Sequence, residues 1–487
     1  MIVFEILRKV NRHVKSYRKR NAGKYLSPVR RFERVYPLNN AKWCAMTFDD
    51  GPSSLPPNPY LSEQELKRIG LDPKNTSYGL SEVIKATLNT FDGKGTFDSI
   101  GTTEANYPDE RGKIHTAKWG GKKHDHYPDM GKDAFGGLFN HPNFSRDLVN
   151  EGHAISNHGG RHVLFGPIRM IYDSRSTLND MDAVLEDLCL LHNHVYDTLN
   201  YSVEFARPPH YIDKINGGYS AYDAYSIMGY QYLAASFDGG GWKPSSGNYN
   251  EDVRAMVQPM REVLEKDSNA LNGQIIFQKD GCNMSLETPV AHALFEQLEL
   301  LKSYGYQVVT VDELVSHSPF EDYGMAHEGF VYARMLHRSG YIVAYKNNTF
   351  QPERNVTFGE LITMTTPKSL YVASGAFKHV SKRSDFDYKA FDISAINAQE
   401  FPFATNHAYK LNYKYAKYKG YLEGFNRVEL DSELMADDVV KYAENIAKIN
   451  GINIEKDTLK NMIGEIKGKV PRKKITEALC YVLKLKS

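Results

Sequence analysis

The chain has 487 residues, 41% of them hydrophobic, and its 60 Lys and Arg against 59 Asp and Glu leave a net charge of +1. That length exceeds what a single core sustains and predicts two or three domains. The balanced charge gives no whole-chain signature for nucleic acid, and the four scattered cysteines, Cys44, Cys189, Cys282 and Cys480, exclude a disulfide framework or a cysteine zinc site and read as buried thiols.

No run reaches the roughly 18 apolar residues of a membrane span, and Met1 to Leu7 is too short for a signal-peptide core, so a cytoplasmic or membrane-peripheral location is expected. Residues 1–34 carry eleven Lys and Arg against two Glu, and Val3, Leu7, Val10 and Val14 recur at helical spacing among them. A basic amphipathic helix of this kind fits an anionic membrane surface, an acidic polymer, or docking on its own domain with a solvated face. The arm is taken as residues 1–38.

The first informative stretch is Thr47 to Ser53. The apolar run Trp43 to Met46 predicts a short strand that ends on Asp49 and Asp50 and is broken by Gly51 and Pro52. Adjacent side chains at a strand end diverge, so one carboxylate can bind a metal while the other takes a proton. An Asp-Asp-Gly-Pro turn is the plain alternative. Glu63 to Ile69 and Ser81 to Asn89 read as helices and Gly95 to Ile100 as a strand. Residues 102–143 show no periodicity, and their His115, His124, His126 and His141 offer candidate ligands, although scattered loop histidines are more often simply solvated.

Phe144 to Asn150 reads as a helix closed by Gly152, and His153 to Asn157 as a strand leading into His158 and His162. Two imidazoles four apart fall on one side of a helical turn, close enough to share an ion. Leu178 to Leu199 has the stripe of a helix. A strand at Val203 to Ala206 ends in Arg207, Pro208, Pro209, His210 and Tyr211. A strand at Gln231 to Phe237 ends in Asp238 and Trp242, a helix follows at Arg254 to Lys266, and a strand at Gln274 to Phe277 ends in Gln278, Lys279 and Asp280. A helix through Val290, Leu294, Leu298 and Leu301 and a strand at Gln307 to Val311 complete the alternation. Clusters of chemistry-bearing residues where strands stop are the habit of parallel (β/α) barrels.

These residues resemble the polysaccharide deacetylase family, the NodB-like carbohydrate esterases of family four. Thr47 to Pro52 is similar to that family's first motif, Gly152 to His162 to its second, Arg207 to Pro209 to its third, and Asp238 to Trp242 to part of its fourth. The resemblance covers about residues 40–315 and implies a distorted parallel (β/α) barrel over residues 39–316. It implies one divalent ion, most often Zn2+, on Asp50, His158 and His162, with Asp49 as general base and Arg207 as its partner. A backbone N–H near His210 or Tyr211 would hold the oxyanion, and Pro208, Tyr211, Asp238 and Trp242 would line the substrate. The implied reaction is removal of N-acetyl groups from a glycan. The pattern breaks at the general acid: the family's His corresponds to Lys279 here, and the Asp that tethers it to Gly241. Lys279 donates the proton, His210 has taken the task, or the protein is a glycan-binding pseudoenzyme.

Beyond Val315 the sequence is Tyr-rich and mainly helical, and a helical domain is expected over residues 317–487. Phe320 to Met364 resembles a surface-layer homology repeat, with a poorer copy around Gly420 to Phe425 and a fragment at Lys473 to Leu483. That likeness implies binding to a cell-wall polymer and a place at the cell surface. A helical accessory domain packed on its own core is the alternative.

Overall fold

A computed structural model describes residues 29–37, 41–75, 77–102, 117–119, 122–124, 136–166, 177–316, 320–324, 327–339, 341–342, 344–345, 349–367, 370–371, 374, 383–384, 391–464, 466 and 468–485. The basic arm through residue 28, His115 and His126 lie outside these. Trp119 and His124 fall on a short antiparallel pair, Ala117–Trp119 with Lys122–His124, inside the stretch read as aperiodic. No helix among the described residues is long and apolar enough to cross a membrane.

The chain divides into two compact units. The first includes Val29–Val315 and His379–Asp385, the second Ser316–Lys378 and Phe386–Ser487. The first is built on nine parallel strands: β1 (Arg31–Phe32), β2 (Trp43–Asp49), β3 (Thr96–Ser99), β4 (Ala154–Asn157), β5 (Phe205–Ala206), β6 (Gln231–Leu233), β7 (Phe237–Asp238), β8 (Ile275–Lys279) and β9 (Gln307–Val309). Their order is β1-β6-β5-β4-β3-β2-β8-β7, and β9 pairs with the first half of β2. An antiparallel bridge between Arg34 and Gln274, with Ile275 N–H donating to Glu33 O, brings the β1 edge back onto the start of β8. The sheet is thereby curled into a distorted parallel (β/α) barrel.

The barrel forms because its strands are apolar on both faces, as parallel strands covered by helices must be. Cys44, Ala45, Met46 and Phe48 of β2 are fully buried. Phe32, Ala45, Phe205, Leu233, Ile275 and Val309 pack into one cluster drawn from six strands. The helices between strands carry their own start signals. Ser62 and Glu65 form a reciprocal capping box before Glu63–Arg68. The helix predicted from Leu178 begins at Met181, because the Asp180 side chain accepts the Ala183 N–H and sets the boundary. The helix predicted from Arg254 starts earlier, at Tyr249, because Asn248 caps it and Glu251 and Asp252 favour its first turn.

The predicted strand Gln231 to Phe237 is two strands. Ala234 N–H donates to Phe32 O and Ser236 N–H to Ile275 O, so the backbone changes partners between them and cannot continue straight. All four cysteines are buried free thiols.

One buried imidazole sets an acid limit on this unit. His153 accepts the Gly95 N–H on Nδ1 at 3.0 Å and donates from Nε2 to Asn89 at 3.2 Å, an arrangement that needs the neutral ring. Burial, with help from Lys94, pushes its pKa down to about 4. A folded value below the unfolded 6.5 stabilises fully above pH 6.5, and that contribution is lost as pH falls toward 4, up to about 3 kcal/mol. The urea midpoint of this unit is expected to fall more between pH 7 and 4.5 in the native chain than in His153→Gln. Equal falls would contradict this.

The second unit is helical, with a core that includes Phe320, Phe330, Phe350, Leu361, Tyr442, Ile446, Ile475 and Leu479. Three extended segments meet at its centre. Val356 N–H donates to Val470 O, Val470 N–H to Leu434 O, and Leu434 N–H to Val356 O, at 3.0, 3.1 and 2.9 Å. Each segment leads directly into a helix, Phe358–Thr363, Ala436–Ile449 and Arg472–Val482 respectively. The ring satisfies three backbone donors and three acceptors in closed order, which no single hairpin provides.

Candidate metal-hydrolase site

The carboxyl ends of β2, β3, β4, β5 and β8 converge on one buried cluster. Register places its members: Asp49 stands opposite Asp98 on one side and Lys279 on the other, while Asp98 faces Ser156 and Asn157 faces Ala206. Asp49 is the last residue of β2. Asp50 leaves the strand at φ +80°, which turns the two carboxylates apart. Gly51 follows because a Cβ there would lie 1.8 Å from the Asp280 carboxylate.

Asp50 Oδ1 lies 3.1 Å from His158 Nε2 and 3.0 Å from His162 Nε2. Its other oxygen pairs with the Lys279 ammonium. Asp49 pairs with Arg207, whose guanidinium also donates to Thr47 Oγ1 and to Leu233 O. The two carboxylates thus face different partners, one the imidazoles and one the guanidinium. Asp49, Asp98, His158, His162 and Arg207 are all buried.

The histidine pair is not carried on a helical turn. His158 to His162 form a loop in which Gly159 has φ +97° and His162 φ +52°. Gly159 N–H donates to Asn157 Oδ1, Gly160 N–H to Asp187 Oδ2, and Arg161 Nε to Asp187 Oδ1, at 2.9, 2.9 and 2.8 Å. Asp187, inside the helix Met181–Leu199, therefore grips the loop that presents both rings, with centroids 4.9 Å apart. Helical spacing suggested the right neighbours for a different geometric reason.

Electrostatics follow from burial and these contacts. Burial, with Asp98 and Asp50 adding to it and Arg207 opposing, raises Asp49 to about 7. Burial alone would raise Asp50 as well, but Lys279, His162 and hydrogen bonds from both imidazoles hold it well below the usual carboxylate value. Burial disfavours charged His158, yet Asp98, Asp50 and Asp49 together hold it well above the ordinary imidazole value. Burial pushes Tyr211 up to about 12 even beside Arg207.

The remaining predicted residues lie around this cluster. His210 is exposed, with its ring 5.6 Å from that of His162, and it shares positive φ with Tyr211. Pro208 is buried, and the Tyr211 ring lies 5.4 Å from the Arg207 guanidinium carbon. Tyr211 N–H donates to Pro208 O, so it is already engaged. Asp238 is exposed and accepts Trp242 Nε1 and Gly240 N–H. The turn it closes carries Gly241, where a Cβ would meet Lys279 Cβ at 3.5 Å. Lys279 and Gly241, the two positions at which the sequence resemblance breaks, are thus neighbours in space.

Sequence reasoning missed Asp98, Asp187 and Ser156. The available signal for Asp98 was a carboxylate inside the predicted strand Gly95 to Ile100. His141, one of the loop histidines, instead begins the helix Pro142–Asn150. Asp50, His158 and His162 form one group whose ligand atoms lie within 4.8 Å of one another. One carboxylate and two imidazoles suit a divalent ion of the zinc type.

No family model and no curated protein matches the chain. Among solved structures it is similar to the chitin deacetylase from the fungal pathogen Colletotrichum lindemuthianum, at 17% identity and TM-score 0.37, over 62% of this chain and 98% of that one. It is similar to the peptidoglycan deacetylase PdaC from Bacillus subtilis at 18% and 0.33, over 56% and 90%. A CE4 family pseudoenzyme from Bacillus anthracis matches at 14% and 0.33, over 58% and 68%. Likenesses this slight carry no argument about the reaction. The barrel rests on its strand pairings and the site on its distances.

Proposed function

We propose that the chain is a metal-dependent hydrolase that removes N-acetyl groups from a carbohydrate. The observation that supports this best is the division of adjacent carboxylates: Asp50 Oδ1 at 3.0–3.1 Å from two imidazole nitrogens, and Asp49 against Arg207. Asp50, His158 and His162 would hold the ion, with Zn2+ the favoured metal, and when bound it supplies an electrophile that acidifies water and polarises a carbonyl. Asp49 accepts the proton of the attacking water, and Arg207 with Thr47 fixes the orientation of its carboxylate. The oxyanion is assigned to a backbone N–H near His210 or Tyr211, as the resemblance implies. Lys279 is assigned to the leaving amine, because it reaches the cluster and His210 is exposed. Pro208, Tyr211, Asp238 and Trp242 line the approach.

The test is acetate release from N-acetylated oligosaccharides by the Zn2+-loaded full chain. Release that stops on chelation supports the reading, and a loaded protein inert on every glycan class tried would end it. One contact favours a second reading, a glycan-binding pseudoenzyme: the Lys279 ammonium is paired with the Asp50 carboxylate, where it competes with an ion for that ligand. For the second unit, the sequence resemblance alone suggests a polymer-binding accessory role.

A further inference from the structure

We infer that Asp98 is the positioning residue that aims His158 at the metal site, a role that rests on the metal reading above. An imidazole can offer either nitrogen, and which one it offers is set by what the other one bonds. Here Nε2 faces Asp50, Nδ1 is hydrogen-bonded to Arg207 O at 2.9 Å, and Asp98 Oδ2 lies 3.0 Å from the same nitrogen as its ion-pair partner, with no hydrogen bond of its own. The carbonyl alone would fix which nitrogen carries the proton. The carboxylate adds a buried negative charge beside that proton, which makes the ring a better electron donor at Nε2.

Asp98 occupies a place where an apolar residue would pack at no electrostatic cost. It is fully buried in a four-residue strand whose other members, Thr96, Phe97 and Ser99, are buried too. Its second oxygen accepts Ser156 Oγ at 2.6 Å, from the register partner on β4, which locks the carboxylate toward His158. Arg207 Nε lies 3.7 Å from the same Oδ2 that faces His158. One carboxylate therefore touches both halves of the site: the ring that would hold the ion, and the guanidinium that orients Asp49. Asp49 sits directly across the sheet from it.

Two readouts test this, one with metal and one without. In the full chain stripped of metal, the His158 Nδ1 proton is expected as a downfield, exchange-protected NMR resonance that moves upfield and broadens in Asp98→Asn. By calorimetry, Zn2+ binding is expected to weaken by roughly 10- to 100-fold in Asp98→Asn. Ser156→Ala, which removes only the lock on the second oxygen, is expected to weaken it by a smaller factor and serves if Asp98→Asn does not fold. An unchanged Nδ1 resonance, or Zn2+ affinities within twofold of native in both variants, would assign the task to the Arg207 carbonyl and overturn the inference. If the native chain binds no Zn2+, the metal reading falls, and the proton resonance still decides whether Asp98 holds the ring.

Discussion

Asp49→Asn is expected to lower acetate release by roughly 10²- to 10⁴-fold while leaving Zn2+ affinity within a few-fold of native. The split between the two effects is what the geometry demands. Asp49 is directed at Arg207, and its approach to an imidazole, His158 Nε2 at 3.9 Å, is longer than the 3.1 Å of Asp50. Asparagine has nearly the same shape and still meets the guanidinium, so the fold and the ligand set are retained. It cannot accept a proton. The measurement is a rate of acetate release alongside a Zn2+ titration on the same preparation. A parallel loss of metal would make Asp49 a ligand, and an unchanged rate would remove it from the chemistry.

Replacing Lys279 has the second large expected effect. Its ammonium shares Asp50 with any cation held by Asp50, His158 and His162, and like charges repel by a few kcal/mol at close range in an effective dielectric of about 20. Lys279→Ala is therefore expected to tighten Zn2+ binding at least about tenfold, or about 1.4 kcal/mol. Lys279→His removes most of that charge and places an imidazole beside the leaving amine, so acetate release is expected to rise by ten- to a hundredfold. A slower Lys279→His enzyme would show that an imidazole cannot take over the donor role assigned to Lys279. Release by Lys279→His from a native chain that shows none would favour the pseudoenzyme reading. Gly241 has φ +87°, so an Asp placed there as a tether would carry backbone strain.

Much of the site could be read from sequence because its members are punctuated. Asp49 and Asp50 precede Gly51 and Pro52, Arg207 precedes two prolines, and His158 precedes Gly159 and Gly160, so each strand end announces itself. Asp98 has no such marker. Its importance comes from parallel register with Asp49 and Ser156, which depends on how distant strands align and leaves no local pattern. Asp187 lies inside the helix read at Leu178 to Leu199 but off its apolar stripe, and its grip on the 158–162 loop is a contact across sequence that periodicity does not encode. The ring in the second unit was hidden for a related reason: Val356, Leu434 and Val470 are single residues in short extended pieces, joined only by backbone bonds.

The most direct measurement is calorimetric titration of the metal-stripped full chain with Zn2+, run beside His162→Ala. One ion per native chain, and binding weaker by roughly a hundredfold or more in the variant, is the expected result. No binding by the native chain, or equal binding by the two, would contradict the division of labour between Asp50 on the ion and Asp49 on the water.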